Sequence, residues 1–290
     1  MDIKHVRKPD WLRVNFGANE KYAETKRIVD GHCLHTICSS GRCPNIGECW
    51  GRGTATFMIG GDICTRACKF CNTKSGRPAP LDETEPANVA RSVKLMKLRY
   101  AVITSVDRDD LPDLGASHWV KTISEVKSVA PETALEVLIP DFQGRNDLLD
   151  MIADAGADVV SHNIETVRRL TPEVRSRAKY ETSLHVLQYL SDKAVTVKSG
   201  LMVGLGETAE EVESTMDDLL SCGCRILTIG QYLQPTHRHY PVHEYITPAQ
   251  FDYYKQAALA KGFKEVESAP LVRSSYRADK LLDDLTSLHK

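Results

Sequence analysis

The sequence predicts an α/β protein whose main body is a partial (β/α)6 barrel of the TIM type, with an extension at each end. Three observations carry this. From Thr54 onward, short apolar, β-branched runs alternate with amphipathic stretches, the pattern of parallel β/α units. Six such units follow one another, too few to close an eight-stranded barrel. And 290 residues with 42% hydrophobic side chains suffice for one large core, since barrels of this kind run to roughly 250 residues.

Residues 1 to about 50 show no sustained period. Pro9-Asp10-Trp11-Leu12 reads as an extended arm, and a short helix near Tyr22 to Val29 leads into a cysteine-rich stretch. Strands are then predicted at Thr54–Ile59, Tyr100–Thr104, Leu135–Ile139, Asp158–Ser161, Val195–Val203 and Arg225–Ile229, with Phe263–Val266 an additional one. Helices are predicted at Asn88–Leu98, Ser117–Ser128, Arg145–Ala155, Thr182–Ser191, Glu207–Ser221 and Thr247–Leu259. This divides the chain into an N-terminal extension (1–53), the partial barrel (54–268) and a short C-terminal extension (269–290).

Polar residues gather just after the strands: Thr104, Ser105 and Asp107 after the second, Asp141 after the third, His162, Asn163 and Glu165 after the fourth, Gln231 and Tyr232 after the sixth. In β/α barrels that edge carries the active site. The glycines of Gly200-Leu201-Met202-Val203-Gly204-Leu205-Gly206 match neither dinucleotide nor P-loop spacing.

A formal net charge of −2 gives no basic excess, so a nucleic-acid partner is not expected. The first ten residues lack the apolar stretch of a signal peptide, and no window of about 18 apolar residues predicts a membrane span. A cytoplasmic enzyme is expected. In a reducing compartment its nine cysteines read as metal ligands or buried thiols, not disulfides.

Six of those cysteines form two ordered triads, Cys38-x4-Cys43-x5-Cys49 and Cys64-x3-Cys68-x2-Cys71. Each offers three thiolates, and a four-iron cube so held keeps one iron free of cysteine. The extension carrying the first triad is therefore predicted to bind a cluster. The second triad follows the first barrel strand directly. Its free iron can take the amino and carboxylate groups of S-adenosylmethionine (SAM), whose S–C5′ bond one electron splits to a 5′-deoxyadenosyl radical. Zinc knuckles favour paired Cys-x-x-Cys spacing and a fourth ligand. For the first triad, structural zinc and a fourth thiolate from Cys33 stay open on spacing alone. Cys222 and Cys224, between a helix and a strand, read as structural.

The second triad, its place after the first strand and the strand count resemble radical SAM enzymes. The first triad narrows the resemblance to the lipoyl synthase family, through Cys43-Pro44-Asn45-Ile46-Gly47-Glu48-Cys49-Trp50 and Arg273-Ser274-Ser275-Tyr276. Further matches are Lys8-Pro9-Asp10-Trp11-Leu12-Arg13, Thr104-Ser105-Val106-Asp107-Arg108-Asp109-Asp110-Leu111, His162-Asn163-Ile164-Glu165-Thr166 and Gly230-Gln231-Tyr232-Leu233-Gln234-Pro235. One departure is Leu114, where the family usually has glycine.

The resemblance implies two [4Fe-4S] clusters and SAM. Cys64, Cys68 and Cys71 would hold the SAM-cleaving cluster. Cys38, Cys43 and Cys49 would hold an auxiliary cluster whose fourth ligand is Ser275, with Ser274 the alternative, leaving Cys33 out. It further implies insertion of sulfur at C6 and C8 of a protein-bound octanoyl-lysine, with the auxiliary cluster as donor and one SAM per C–H bond. The expected partners are octanoylated carrier domains, such as 2-oxoacid dehydrogenase E2 or glycine cleavage H protein, and an electron donor such as ferredoxin or flavodoxin. Phe70 would pack near adenine, while Thr104, Ser105, Asp107, Glu136, Asn163 and Glu165 would contact the rest of SAM. On the residues alone, Arg273 would steady the serine loop or pair with a carboxylate, and His237, Arg238 and His239, in a predicted loop, would form a solvated basic patch that meets an acidic carrier domain. A methylthiotransferase would add an RNA-facing domain, and a zinc-stabilised binding module would cleave no SAM.

Overall fold

The β-branched runs of the sequence are strands, and between them the chain crosses over through helices as parallel pairing requires. The computed structural model describes residues 7–13, 19–32 and 34–276. It divides into two compact units, one of Asn15–Arg66, Asn72–Ser161 and Ser275–Lys290, the other of Met1–Val14, Ala67–Cys71 and His162–Ser274.

In the first unit, α1 (Glu20–Gly31) starts on Asn19, whose side chain accepts the Tyr22 N–H. β1 (His35–Thr36) leads into two short helices, α2 (Ile37–Ser40) and α3 (Ile46–Gly51). β2 (Thr56–Ile59) pairs antiparallel with β1 and parallel with β5 (Tyr100–Ser105). Between these lie the two-residue strands β3 (Ile63–Cys64) and β4 (Lys74–Ser75) and the helix α4 (Glu85–Leu95). β6 (Ala134–Leu138) and β7 (Val159–Ser161) extend the parallel ladder, reached through α5 (Ala116–Val129) and α6 (Asn146–Asp154). Phe57, Ile103, Leu135 and Val137 on these strands and Ile123 on α5 are fully buried. Each contributes about 1.5–3 kcal/mol by leaving water.

The second unit repeats the logic. α7 (Thr171–Val174) and α8 (Tyr180–Asp192) precede β8 (Val197–Val203), and α9 (Ala209–Ser221) precedes β9 (Ile226–Gln231). α10 (Pro248–Lys261) then leads to β10 (Glu265–Ser268), and the three strands pair in parallel. Thr208 and Glu211 close a capping box at the start of α9. Gly262, at φ 115°, ends α10. Leu187, Leu190, Val203, Met216, Leu227 and Ile229 are buried.

Three local expectations are corrected. Asp10–Leu12 is a 3-10 turn, not an extended arm, because Pro9 fixes its entry and Leu12 is wholly buried. α4 begins at Glu85, three residues early, because Pro86 suits a first helical turn. Glu85 is itself anchored, accepting the Gly60 N–H at 2.7 Å and meeting the His118 ring at 2.6 Å. The last strand starts at Glu265, two residues late, because Gly262 and Phe263 still close the preceding helix through Ala258.

Candidate functional site

The first triad lies wholly in the first unit. Cys38 sits in α2, Cys43 in the turn that follows and Cys49 in α3. The turn is wound tightly: Cys43 N–H donates to the Cys38 carbonyl at 2.9 Å, and Cys49 N–H to that of Asn45 at 2.8 Å. Burial pushes the Cys38 thiol up, against the Thr56 N–H and hydroxyl, which favour its thiolate. Cys49 is pushed up to about 12 by burial and then by the neighbouring Cys38 and Cys43. Buried thiols whose thiolates would repel one another suit a metal centre that supplies positive charge.

Two C-terminal residues bond to neighbours of this triad. The Thr56 hydroxyl donates to Ser275 Oγ at 2.8 Å, and the Tyr276 hydroxyl reaches both Glu48 carboxylate oxygens at 3.1 Å. Ser274 belongs to the second unit, where its Oγ accepts from Asn163 Nδ2 at 2.8 Å and its carbonyl from Lys198 Nζ at 2.7 Å. Cys33 lies outside the described residues. Among the described residues no three acidic, His or Cys side chains close on a single point as one metal ion requires. Ligands to separate corners of a cube need not do so.

Of the second triad, Cys64 belongs to the first unit and Cys68 and Cys71 to the second. In the first, Cys64 ends β3, and its sulfur accepts the Arg66 N–H at 3.4 Å and the Asp107 N–H at 3.3 Å, while its thiol faces Asp107 Oδ2 at 3.6 Å. The Arg66 guanidinium grips Asp109 and Asp141, each through both oxygens, at 2.8–2.9 Å. It also lies 3.3 Å from Asp107. Burial pushes the Asp107 carboxyl up, and Arg66 opposes it.

In the second unit, Cys68 lies 3.7 Å from the Ser176 hydroxyl, which also accepts the Ala67 N–H at 3.1 Å. Tyr240 N–H donates to the Lys69 carbonyl at 2.8 Å, and the His239 ring meets the Cys71 carbonyl at 3.0 Å. His239 is thus half-buried against Cys71, whereas His237 and Arg238 are exposed as expected. Phe70 is half-buried within the same loop.

The remaining strand-end residues differ in how far their polar atoms are used. Thr104 donates to the Leu138 carbonyl at 3.1 Å. Glu136 is fully enclosed, accepting from Tyr100 at 2.8 Å and Ser161 at 2.7 Å. Ser105 Oγ and Asn163 Oδ1 are buried without a hydrogen-bond partner. Such orphaned atoms are costly unless a ligand completes them, so each, in its own unit, fits contact with a polar ligand. Glu165, at φ 67°, takes the left-handed conformation, accepts from Asn163 Nδ2 at 3.1 Å and is pushed up by burial against Arg175. Backbone strain of this kind concentrates at functional sites.

Other expectations have plain structural outcomes. A Cβ on Gly204 would lie 2.1 Å from Gln231 Nε2 and 2.4 Å from the Glu244 carbonyl, so this turn is built for close packing. Arg273 folds onto its own chain, donating to the Val272 carbonyl at 2.6 Å. Cys222 and Cys224 are buried, Cys224 donating to the Ile226 carbonyl. Sequence reading missed Thr56, Arg66, Ser176 and Tyr240 as neighbours of the cysteines. Only Arg66 left a signal, its place inside the second triad.

The Radical SAM superfamily profile matches residues 58–219. The chain is similar to the lipoyl synthase of Phocaeicola vulgatus, 69% identical over 278 residues that cover 96% of this chain and 98% of that one. It is also similar to the lipoyl synthases of Porphyromonas gingivalis (62% over 280 residues, covering 96% and 99%) and Treponema denticola (57% over 274, covering 94% of each). Among solved structures, methylornithine synthase (PylB) covers 94% of both chains at TM-score 0.53 and 12% identity. Streptococcus suis SuiB bound to S-adenosylmethionine covers 78% of this chain and 55% of its own at TM-score 0.57 and 10% identity. These likenesses show the fold, the α/β partial barrel of radical SAM proteins.

Proposed function

Because the chain belongs to the lipoyl synthase family of radical SAM enzymes, we propose that Cys64, Cys68 and Cys71 hold its SAM-cleaving cluster and Cys38, Cys43, Cys49 and Ser275 its auxiliary cluster. The enzyme is a radical SAM sulfurtransferase that uses SAM and [4Fe-4S] clusters to insert sulfur at C6 and C8 of a protein-bound octanoyl-lysine. When bound, the first cluster supplies the electron that generates the 5′-deoxyadenosyl radical for each C–H abstraction, and the auxiliary cluster supplies the sulfur.

The chain's own residues set the conditions for that chemistry. The two backbone N–H groups on the Cys64 sulfur disperse thiolate charge, which favours the reduced state of whatever iron it binds. The Arg66 fork holds Asp109 and Asp141 beside that loop and keeps Asp107 oriented. As the family resemblance implies, Thr104, Ser105, Asp107, Asn163 and Glu165 would contact SAM and Phe70 its adenine; Ser105 Oγ in the first unit and Asn163 Oδ1 in the second are buried with no hydrogen-bond partner among the described residues. Glu136 acts one layer behind, fixing the hydroxyls of Tyr100 and Ser161.

The observation that carries the auxiliary assignment is the Thr56 to Ser275 hydrogen bond, which ties this serine to the unit of the first triad. It favours Ser275 over Ser274 as the fourth ligand. An oxygen donor suits iron–sulfur chemistry less well than thiolate and is the corner most easily given up. The carrier domains of 2-oxoacid dehydrogenase E2 or glycine cleavage H protein supply the substrate, ferredoxin or flavodoxin the electrons, and the cytoplasm the setting. No helix among the described residues is long and apolar enough to cross a membrane.

Anaerobic reconstitution and assay with an octanoyl-lysine peptide, SAM and a reductant tests this. Expected are about eight irons per chain, 5′-deoxyadenosine and a mass gain from sulfur. About four irons, or deoxyadenosine without sulfur insertion, would end the two-cluster assignment. Ser275→Ala is expected to keep SAM cleavage and lose the lipoyl product, and undiminished product would count against the serine.

A further inference from the structure

Ser275 and the residue after it are tied to neighbours of the first triad. The serine oxygen accepts from the Thr56 hydroxyl at 2.8 Å across 219 residues of sequence, and the next residue, Tyr276, sends its hydroxyl to both oxygens of Glu48 at 3.1 Å across 228 residues. Glu48 directly precedes Cys49 in α3. Thr56 lies in β2, which is paired on both sides, and its side chain is 6% exposed. A β-branched side chain on a paired strand has little rotameric freedom, so its hydroxyl is a fixed point. The Thr56 N–H and hydroxyl also border the Cys38 sulfur.

We infer that Thr56 and Tyr276 are positioning residues that hold Ser275 on the auxiliary cluster, one fixing its oxygen and the other its chain. This rests on the reading of Ser275 as the fourth ligand. The serine sits in a turn, not in a helix or strand, so no backbone ladder fixes its oxygen. The two hydroxyls supply that restraint, one beside Cys38 and one beside Cys49. A hydroxyl that donates to Ser275 Oγ stabilises negative charge on that oxygen, the form that binds iron. The hold runs through two hydroxyls, so it is firm enough to seat the serine and weak enough to be broken when that corner opens. It also gives a physical reason why the Arg273–Tyr276 motif and the first triad occur together in this chain.

The test uses the full chain reconstituted anaerobically with ⁵⁷Fe, comparing wild type with Thr56→Val, Thr56→Ser, Tyr276→Phe, the Thr56→Val/Tyr276→Phe double variant and Ser275→Ala. Two readouts are independent of turnover: the Mössbauer signature of the oxygen-ligated iron, and the rate of iron loss to a chelator without SAM. A net hydrogen bond corresponds to about a fivefold change in an equilibrium. Iron loss from the auxiliary cluster is therefore expected to be about fivefold faster in Thr56→Val and in Tyr276→Phe, and about 25-fold faster in the double variant if the two ties act independently. The oxygen-ligated signature should weaken in the same order, and Thr56→Ser, which keeps the hydroxyl, should behave as wild type. Wild-type spectra and rates in Thr56→Val and Tyr276→Phe, with both altered in Ser275→Ala, would overturn the inference while leaving the ligand intact. An unaltered Ser275→Ala spectrum would remove the ligand assignment and the inference with it.

Discussion

Replacing Arg66 by methionine removes the guanidinium that grips Asp109 and Asp141 and lies 3.3 Å from Asp107. Arg66, Asp109 and Asp141 have side chains only 5%, 5% and 3% exposed, so water cannot take the arginine's place. Four charge-assisted hydrogen bonds of 2.8–2.9 Å disappear, leaving carboxylates buried without their cation. Breaking a buried ion pair from one side costs about 3–5 kcal/mol. Arg66→Lys should cost less, about 1.5–3 kcal/mol, because a point charge can meet one carboxylate but not both forks. Urea unfolding of the metal-free chain is the assay. With a slope near 2–3 kcal/mol/M, Arg66→Met should lower the midpoint by about 1–2.5 M. Asp141→Asn should offset part of that loss when combined with Arg66→Met, since one of the stranded charges is then gone. An Arg66→Met chain within about 1 kcal/mol of wild type, or a double variant weaker than the sum of its parts, would refute the claim that the fork organises this loop.

Two further outcomes follow from conformation and burial. Leu114, at φ 53°, is left-handed yet packed to 9% exposure, so Leu114→Gly gains about 1–2 kcal/mol of strain relief and loses a buried side chain worth about 1.5–3 kcal/mol. Thermal unfolding should rank leucine first, glycine second and alanine last, since alanine keeps the strain and loses the packing; alanine above glycine would contradict the strain argument. Burial pushes the Cys224 thiol up to about 12, so the folded chain holds this proton after the unfolded chain, near 8.5, has lost it. Its contribution is therefore whole below about pH 8.5 and declines as pH rises toward 12, by about 1.4 kcal/mol per unit. Cys224→Ala, weaker at neutral pH, should close on wild type between pH 9 and 11; parallel stability curves would contradict this.

Much of the fold was legible because parallel strands covered on both faces read as unbroken apolar runs. The runs at Tyr100, Leu135 and Val195 all became strands within two residues of their expected ends. Ends were harder to place where a tertiary contact decided them, as at Glu85, whose carboxylate meets Gly60 and His118. Leu114 shows the opposite case: its side chain is penalised locally, and packing keeps the conformation nonetheless.

At the site, the two cysteine triads, their order and their family were determined by the sequence alone, because ligand spacing along a short loop is a local property. What tertiary structure decided is which distant groups meet them. Ser274 and Ser275 are the same residue type one position apart, yet the first turns to Asn163 and the second to Thr56. Nothing in one dimension separates them. His239 reads as a solvated charge and becomes half-buried against Cys71, and Glu136 reads as a ligand contact and becomes a fully enclosed acceptor for Tyr100 and Ser161. Hydrogen bonds act over about 3 Å, and only the folded chain brings residues more than two hundred positions apart to within that distance.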